Sequence, residues 1–212
     1  MQLRAIALLI TMLTAAITCA QSDSVAFTVD DRMNDGVYLS YGDFRRNHAI
    51  SREQIVFSAD PENLNFVEKA LQQEKFSYIS NGIKYTVDPK SVWGFFQNNT
   101  FYVNFNGEFY RVPQFGSVSY FVATVLVRTA GFYDPRFGAS MMPTYTRETR
   151  EFIMDFYDGA LTELSMERFE KLLSRDKAIY DEFMALGRRK RKEELYRYIR
   201  KYNAAHPVYF VR

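Results

Sequence analysis

Few side chains in this chain could carry covalent or acid–base chemistry. There are two histidines, His48 and His206, far apart in sequence, and a single cysteine, Cys19. No HExxH pair, GxSxG nucleophile turn or GxxxxGK(S/T) phosphate loop occurs. A histidine-dependent triad would have to use His48, in a turn-rich stretch where a surface position is the plainer reading. Asp30, Asp31 and Asp35 lack the alternating ligands and closing Glu of an EF-hand, so they read as turn formers. These residues imply no cofactor and no metal, and the expectation is a non-enzymatic protein.

Binding chemistry is better represented. Residues 188–201 hold eight basic and two acidic side chains: Arg188, Arg189, Lys190, Arg191, Lys192, Arg197, Arg200 and Lys201, against Glu193 and Glu194. Such a block suits an anionic surface, and it equally suits a solvated helix face paired with the acids before it. Residues 143–187 carry ten acidic and six basic side chains, enough to supply those pairs. The second candidate is aromatic. With 15 Tyr, 19 Phe and one Trp, the chain is 17% aromatic. Trp93, Tyr102 and Tyr110 could form a platform for a sugar or small molecule, and aromatic residues at strand spacing equally serve as core.

The elements that must position these residues follow from periodicity. Short strands are expected over residues 25–29, 37–41 and 54–58, and a turn or short helical turn over 42–47. Asp60 as N-cap and Pro61 at the first helical position predict a helix over about residues 61–73. From Phe76 the period becomes two. Asn81-Gly82 marks a hairpin between residues 76–80 and 83–87, because Asn-Gly accepts the positive φ angles of a type I′ turn. Asn98-Asn99 and Asn106-Gly107 join strands at 93–97, 100–105 and 108–112. A last strand over 118–128 is apolar on both parities, with Tyr120, Val122 and Leu126 alternating with Phe121, Ala123, Val125 and Val127. It therefore needs cover on both faces, by closure into a small barrel or by helices.

Residues 129–146 form the longest irregular stretch and mark a boundary. Helices are expected beyond it: one over 147–157 carrying Phe152, Ile153, Phe156 and Tyr157 and ended by Asp158-Gly159, one capped by Ser165, and one capped by Asp176. The last would run to about Asn203, with Gly187 as the place for a bend or a break.

The N-terminus speaks to compartment. Arg4, the apolar run over residues 5–17 and a small Ala20 have the form of a secretory signal peptide, too short to span a bilayer. Cleavage after Ala20 leaves 26 basic and 25 acidic side chains, a balance that gives no general attraction to nucleic acid. Cys19 is then either discarded or the lipidated first residue of a lipoprotein, a role that Thr18 and Ala16 fit poorly.

Two segments, DPKSVWGFFQNNTFYVNFNGEFYRVPQFGSVSYFVA and LLSRDKAIYDEFMALGRRKRKEELYRYIRKYNAAHPVYF, resemble those of a group of uncharacterised exported bacterial proteins. The group has no assigned activity, so the resemblance assigns no residue a role. The chain is expected to be α+β: a signal peptide (1–20), a β-rich domain (21–140) holding an antiparallel β-meander or small barrel, and a C-terminal helical subdomain (141–212). The expected location is periplasmic or extracellular. The expected role is an exported binding or structural-interaction protein of the cell envelope, meeting an envelope protein or an anionic envelope surface. A small-molecule or glycan binder using the aromatic sheet is the alternative, and a hydrolase is a more distant one.

Overall fold

The structure, a computed structural model, describes residues 24–26, 33–129, 133–134, 139–140 and 144–211. The expected leader, Cys19, Asp30 and Asp31, and most of the strand expected at 25–29, lie outside the described residues. The protein is α+β, built on antiparallel pairing, and among the described residues its sheets do not close into a barrel.

Asparagine turns set the first sheet. Strands β2 (Gly36–Tyr38), β5 (Gly94–Gln97), β6 (Thr100–Phe105) and β7 (Glu108–Arg111) pair in the order β2-β5-β6-β7. Asn98 and Asn99 take φ of 51° and 58°, and Asn106 and Gly107 take 56° and 83°. Two successive positive φ angles give the twist that lets flanking strands pair without splaying. The separate hairpin β3 (Phe76–Ser80) and β4 (Ile83–Val87) turns in the same way at Asn81-Gly82.

The second sheet holds the main correction to the sequence reading. Residues 145–155 are not helical: β11 (Tyr145–Asp155) runs antiparallel to β8 (Val118–Arg128) in an unbroken register from Val118↔Asp155 to Arg128↔Tyr145. Apolar side chains at 152, 153 and 156 imitate a helical stripe because the base of this strand is covered on both faces. Phe152 and Met154 point into one core while Ile153 points into another. Asp158-Gly159 does not end a helix either. Gly159, at φ +74°, turns the chain toward β12 (Leu161–Glu163), which pairs with β11. A Cβ there would sit 2.6 Å from the Tyr41 ring, so only glycine fits the turn. Two short pairings lie further along: β9 (Tyr133–Asp134) with β10 (Ala139–Ser140), and β1 (Ser24–Ala26) with β13 (Tyr209–Val211).

Five helices complete the fold among the described residues. Helix α1 (Tyr41–Arg45) opens with a Ser40–Asp43 capping box. Helix α2 (Phe66–Leu71) begins five residues later than expected, for a local reason. Asp60 Oδ1 accepts from the Glu62 amide at 3.0 Å and Asn63 Oδ1 from the Asn65 amide at 2.9 Å, so Asx turns hold this stretch out of helix. The helix is capped from the sheet instead: buried Gln97 accepts from the amides of Val67 and Glu68 at 2.9 and 3.2 Å. Residues 54–58, expected as a strand, form only an isolated bridge between Ile55 and Tyr78. Helices α3 (Met166–Leu173) and α4 (Lys177–Met184) start on Ser165 and Asp176 as expected, and the chain breaks at Gly187 before α5 (Arg188–Ala205).

The layers follow from three apolar clusters. Between the sheets, Phe96, Phe101 and Val103 meet Phe121, Ala123, Phe152 and Met154. On the far side of the first sheet, Val37 and Phe95 meet Phe66, Val67 and Leu71 of α2 and Phe76 of β3. On the far side of the second, Val118 and Ile153 meet Phe169, Leu173, Phe183, Leu195 and Ile199 of α3–α5. The expected double cover of β8 is therefore half met: helices cover its base, while Val122 (39% exposed) and Leu126 (68%) stand open further out.

Phe44 is the centre of the inter-sheet core. It is fully buried, with ring centroids of Trp93, Phe101, Tyr38, Phe210, Phe115 and Phe156 at 4.4 to 5.9 Å. Phe44→Ala should cost about 3–5 kcal/mol. Guanidinium unfolding followed by Trp93 fluorescence and by far-UV circular dichroism should show a lower midpoint in both signals. An unchanged midpoint would contradict the packing described.

Candidate functional site: the cationic face of the last helix

Helix α5 is oriented by its apolar stripe. Leu195, Tyr198, Ile199 and Tyr202 are buried against α3, α4 and β8, and at 100° per residue this turns Arg189, Lys190, Arg197, Arg200 and Lys201 outward. Asn203 fixes the seat. Its side-chain amide donates to the Val118 carbonyl and its Oδ1 accepts from the Val118 N–H, each at 2.8 Å, as a neighbouring strand would.

The eight basic residues picked out in the sequence divide into two groups. Arg189 pairs with Glu193 at 3.0 Å, Arg197 with Glu194 at 3.1 Å, and Lys201 with Glu182. Arg191 is not part of the surface at all: its side chain is only 18% exposed and is bound to Glu170 of α3. Arg188, Lys190, Lys192 and Arg200 are exposed and have no acidic partner among the described residues.

Three of these four unpaired cations lie in the opening residues of the helix, where its own electrostatics disfavour them. The first turn contains no acid and the N-cap, Gly187, offers no side chain. The N-terminal end of a helix carries a partial positive charge, so each cation there costs roughly 0.3–1 kcal/mol. Free amides and unpaired cations together attract oxyanions.

The aromatic candidates do not form one surface. Trp93 is half-buried against Phe44, Tyr41 and Phe101 in the inter-sheet core. Tyr102 is on the opposite face of the sheet, stacked on Phe95 with centroids 4.5 Å apart. Tyr110 is at the sheet edge, its hydroxyl donating to Glu108 at 2.6 Å or to the Thr124 carbonyl at 3.2 Å. It borders a cavity of about 390 Å³ with Leu126 and Arg147, away from the other two.

Sequence reading missed a polar cluster at the C-terminal end. His206 Nε2 lies 2.9 Å from Asp176 Oδ2, and Arg175 pairs with Asp155 at 2.6 Å. The Tyr202 ring packs on His206, and the Ser117 hydroxyl donates to the His206 carbonyl. The Tyr41 hydroxyl donates to the Phe156 carbonyl; burial, with Asp155 and Asp158 nearby, pushes it up to about 12 despite Arg45. These residues lie on five separate segments with no shared spacing, so only Asp176 carried a signal, as a helix cap. His48, by contrast, is exposed.

Comparison with protein-family models, with curated proteins and with solved structures yields no match. No helix among the described residues is long and apolar enough to cross a membrane.

Two carboxylates that fasten the helices are held below their ordinary values. Asp176 is lowered by the Ile179 N–H and by His206, and Glu182 by Lys201 and then Tyr198. A carboxylate depressed on folding stabilises fully above its unfolded value, near 4, and that contribution is lost as pH falls through the folded value. The melting temperature should therefore fall between pH 5 and pH 3, and fall less steeply in an Asp176→Asn, Glu182→Gln variant. Parallel curves would contradict these assignments.

Proposed function

We propose that the protein is a non-enzymatic interaction module of the bacterial cell envelope, exported as its leader suggests, that docks onto an anionic surface through the opening turns of α5. The observation that carries this reading is the placement of Arg188, Lys190 and Lys192 at an uncapped helix N-terminus, with Arg200 two to three turns further along the helix. Selection for stability alone would put acids in that first turn. Phosphate-bearing headgroups are the partner that benefits from unpaired cations and free helix amides together.

Each cation near such a surface contributes about 1 kcal/mol, so four supply about 4 kcal/mol, on the order of 1000-fold in partitioning. The chain should co-sediment with phosphatidylglycerol vesicles and not with phosphatidylcholine vesicles. Binding should weaken steeply between 50 and 500 mM salt, as screening of exposed charges requires. Replacing Arg188, Lys190, Lys192 and Arg200 together by Gln should abolish sedimentation while leaving the melting temperature equal or higher. Equal binding by the variant would overturn the proposal, and crosslinking in native envelopes would then name a protein partner instead.

A further inference from the structure

A small pocket of about 260 Å³ opens between the end of α1, the β11–β12 turn and the residues that follow α5. Arg45, Arg175, Tyr157 and Tyr209 are among its walls. Its acids are already engaged. Asp155 pairs with Arg175 and accepts from the Tyr157 amide, and Asp176, beside the pocket, pairs with His206 and caps α4. Asp158, close enough to raise Tyr41, accepts from the Ala160 amide.

Arg45 is the exception. No acid lies within ion-pair distance of it among the described residues, and its Nε is closed off from solvent with no hydrogen-bond partner. Its guanidinium sits 5.7 Å from the centroid of the Phe156 ring, which holds it in place without neutralising it. A guanidinium that lines a pocket with no acid partner is an incomplete site, and a planar carboxylate is the group that matches its fork.

We propose that this pocket binds a small organic monocarboxylate, with Arg45 as its counter-ion. The charge count selects a monoanion. Among the lining residues Asp155 offsets Arg175, which leaves Arg45 as the uncompensated charge, so a single carboxylate is balanced by Arg45 where a phosphate dianion exceeds it. The volume admits about one ring beyond the carboxylate. The rim favours a flat or apolar body, because Tyr157 is 79% exposed and Tyr209 47% exposed at the pocket.

The test is a titration of arginine Nε–H resonances in the full chain, at constant ionic strength, with benzoate, acetate and inorganic phosphate as probes. Benzoate should shift the Arg45 resonance saturably in the millimolar range or below. Acetate should bind more weakly, and phosphate should not displace benzoate. Arg45→Gln should weaken benzoate binding at least tenfold, read by calorimetry, whereas the four-site Gln variant of α5 should leave it unchanged. Tyr157→Ala, at an exposed position that does not threaten folding, should weaken benzoate about threefold or more and leave acetate alone. A linear, unsaturable shift up to 50 mM, or equal affinity in a folded Arg45→Gln protein, overturns the proposal. Displacement of benzoate by phosphate overturns the choice of a monoanion.

Discussion

The long antiparallel ladder between β8 and β11 carries the architecture. At its base, neighbouring residues of one strand point into different cores: Phe121 and Phe152 meet the first sheet, while Val118 and Ile153 meet the helices. A strand pair buried on both sides can join two layers only if its register is fixed, since a slip of one residue would exchange every side chain between cores. Stacking of Phe121 on Phe152, with centroids 5.4 Å apart, and the grip of Asn203 on Val118 hold it to one register. Further out the ladder leaves the body, and Val122, Leu126 and Tyr145 are exposed.

The charge distribution is a consequence of that seat. Once the apolar stripe of α5 is placed on α3, α4 and β8, the rotation of the helix is set, and so is the division of its basic residues. Arg191, next to the stripe, becomes a tie to Glu170; of the residues turned outward, Arg189 and Arg197 pair within the helix, Lys201 reaches Glu182 of α4, and the rest have no acid partner among the described residues. The unpaired cations at the opening of the helix oppose its dipole, and this local penalty is small against the burial of four large side chains. The fold can therefore carry a cationic helix start that does not stabilise it.

The pocket beside Arg45 has a different origin. It forms where the chain end returns past α1 and the β11–β12 turn, so its walls come from segments more than a hundred residues apart. The same convergence makes the inter-sheet core, where Phe44 is surrounded by aromatic rings from the first sheet, from the residues just before β8 and just after β11, and from the final segment. Core and pocket share Phe156, whose ring faces Phe44 and carries the Arg45 guanidinium.

What could be read from the chain directly was local. Asn81-Gly82, Asn98-Asn99 and Asn106-Gly107 specify hairpins because their backbone angles are restricted whatever surrounds them, and Ser165, Asp176 and Gly187 punctuate the helices for the same kind of reason. Residues 145–155 were illegible, because an apolar side chain does not record which of two cores it will face, and double cover at one end of a strand reproduces a helical stripe. The true start of α2 depended on Gln97, thirty residues away. Of the binding residues, the basic run was plain in the sequence, but pairing by Glu170, Glu182, Glu193 and Glu194 chose which charges stay free. The Arg45 pocket had no linear trace: each of its residues is ordinary where it stands, and only the packing of distant segments places the Arg45 guanidinium at a pocket wall with no acid partner among the described residues.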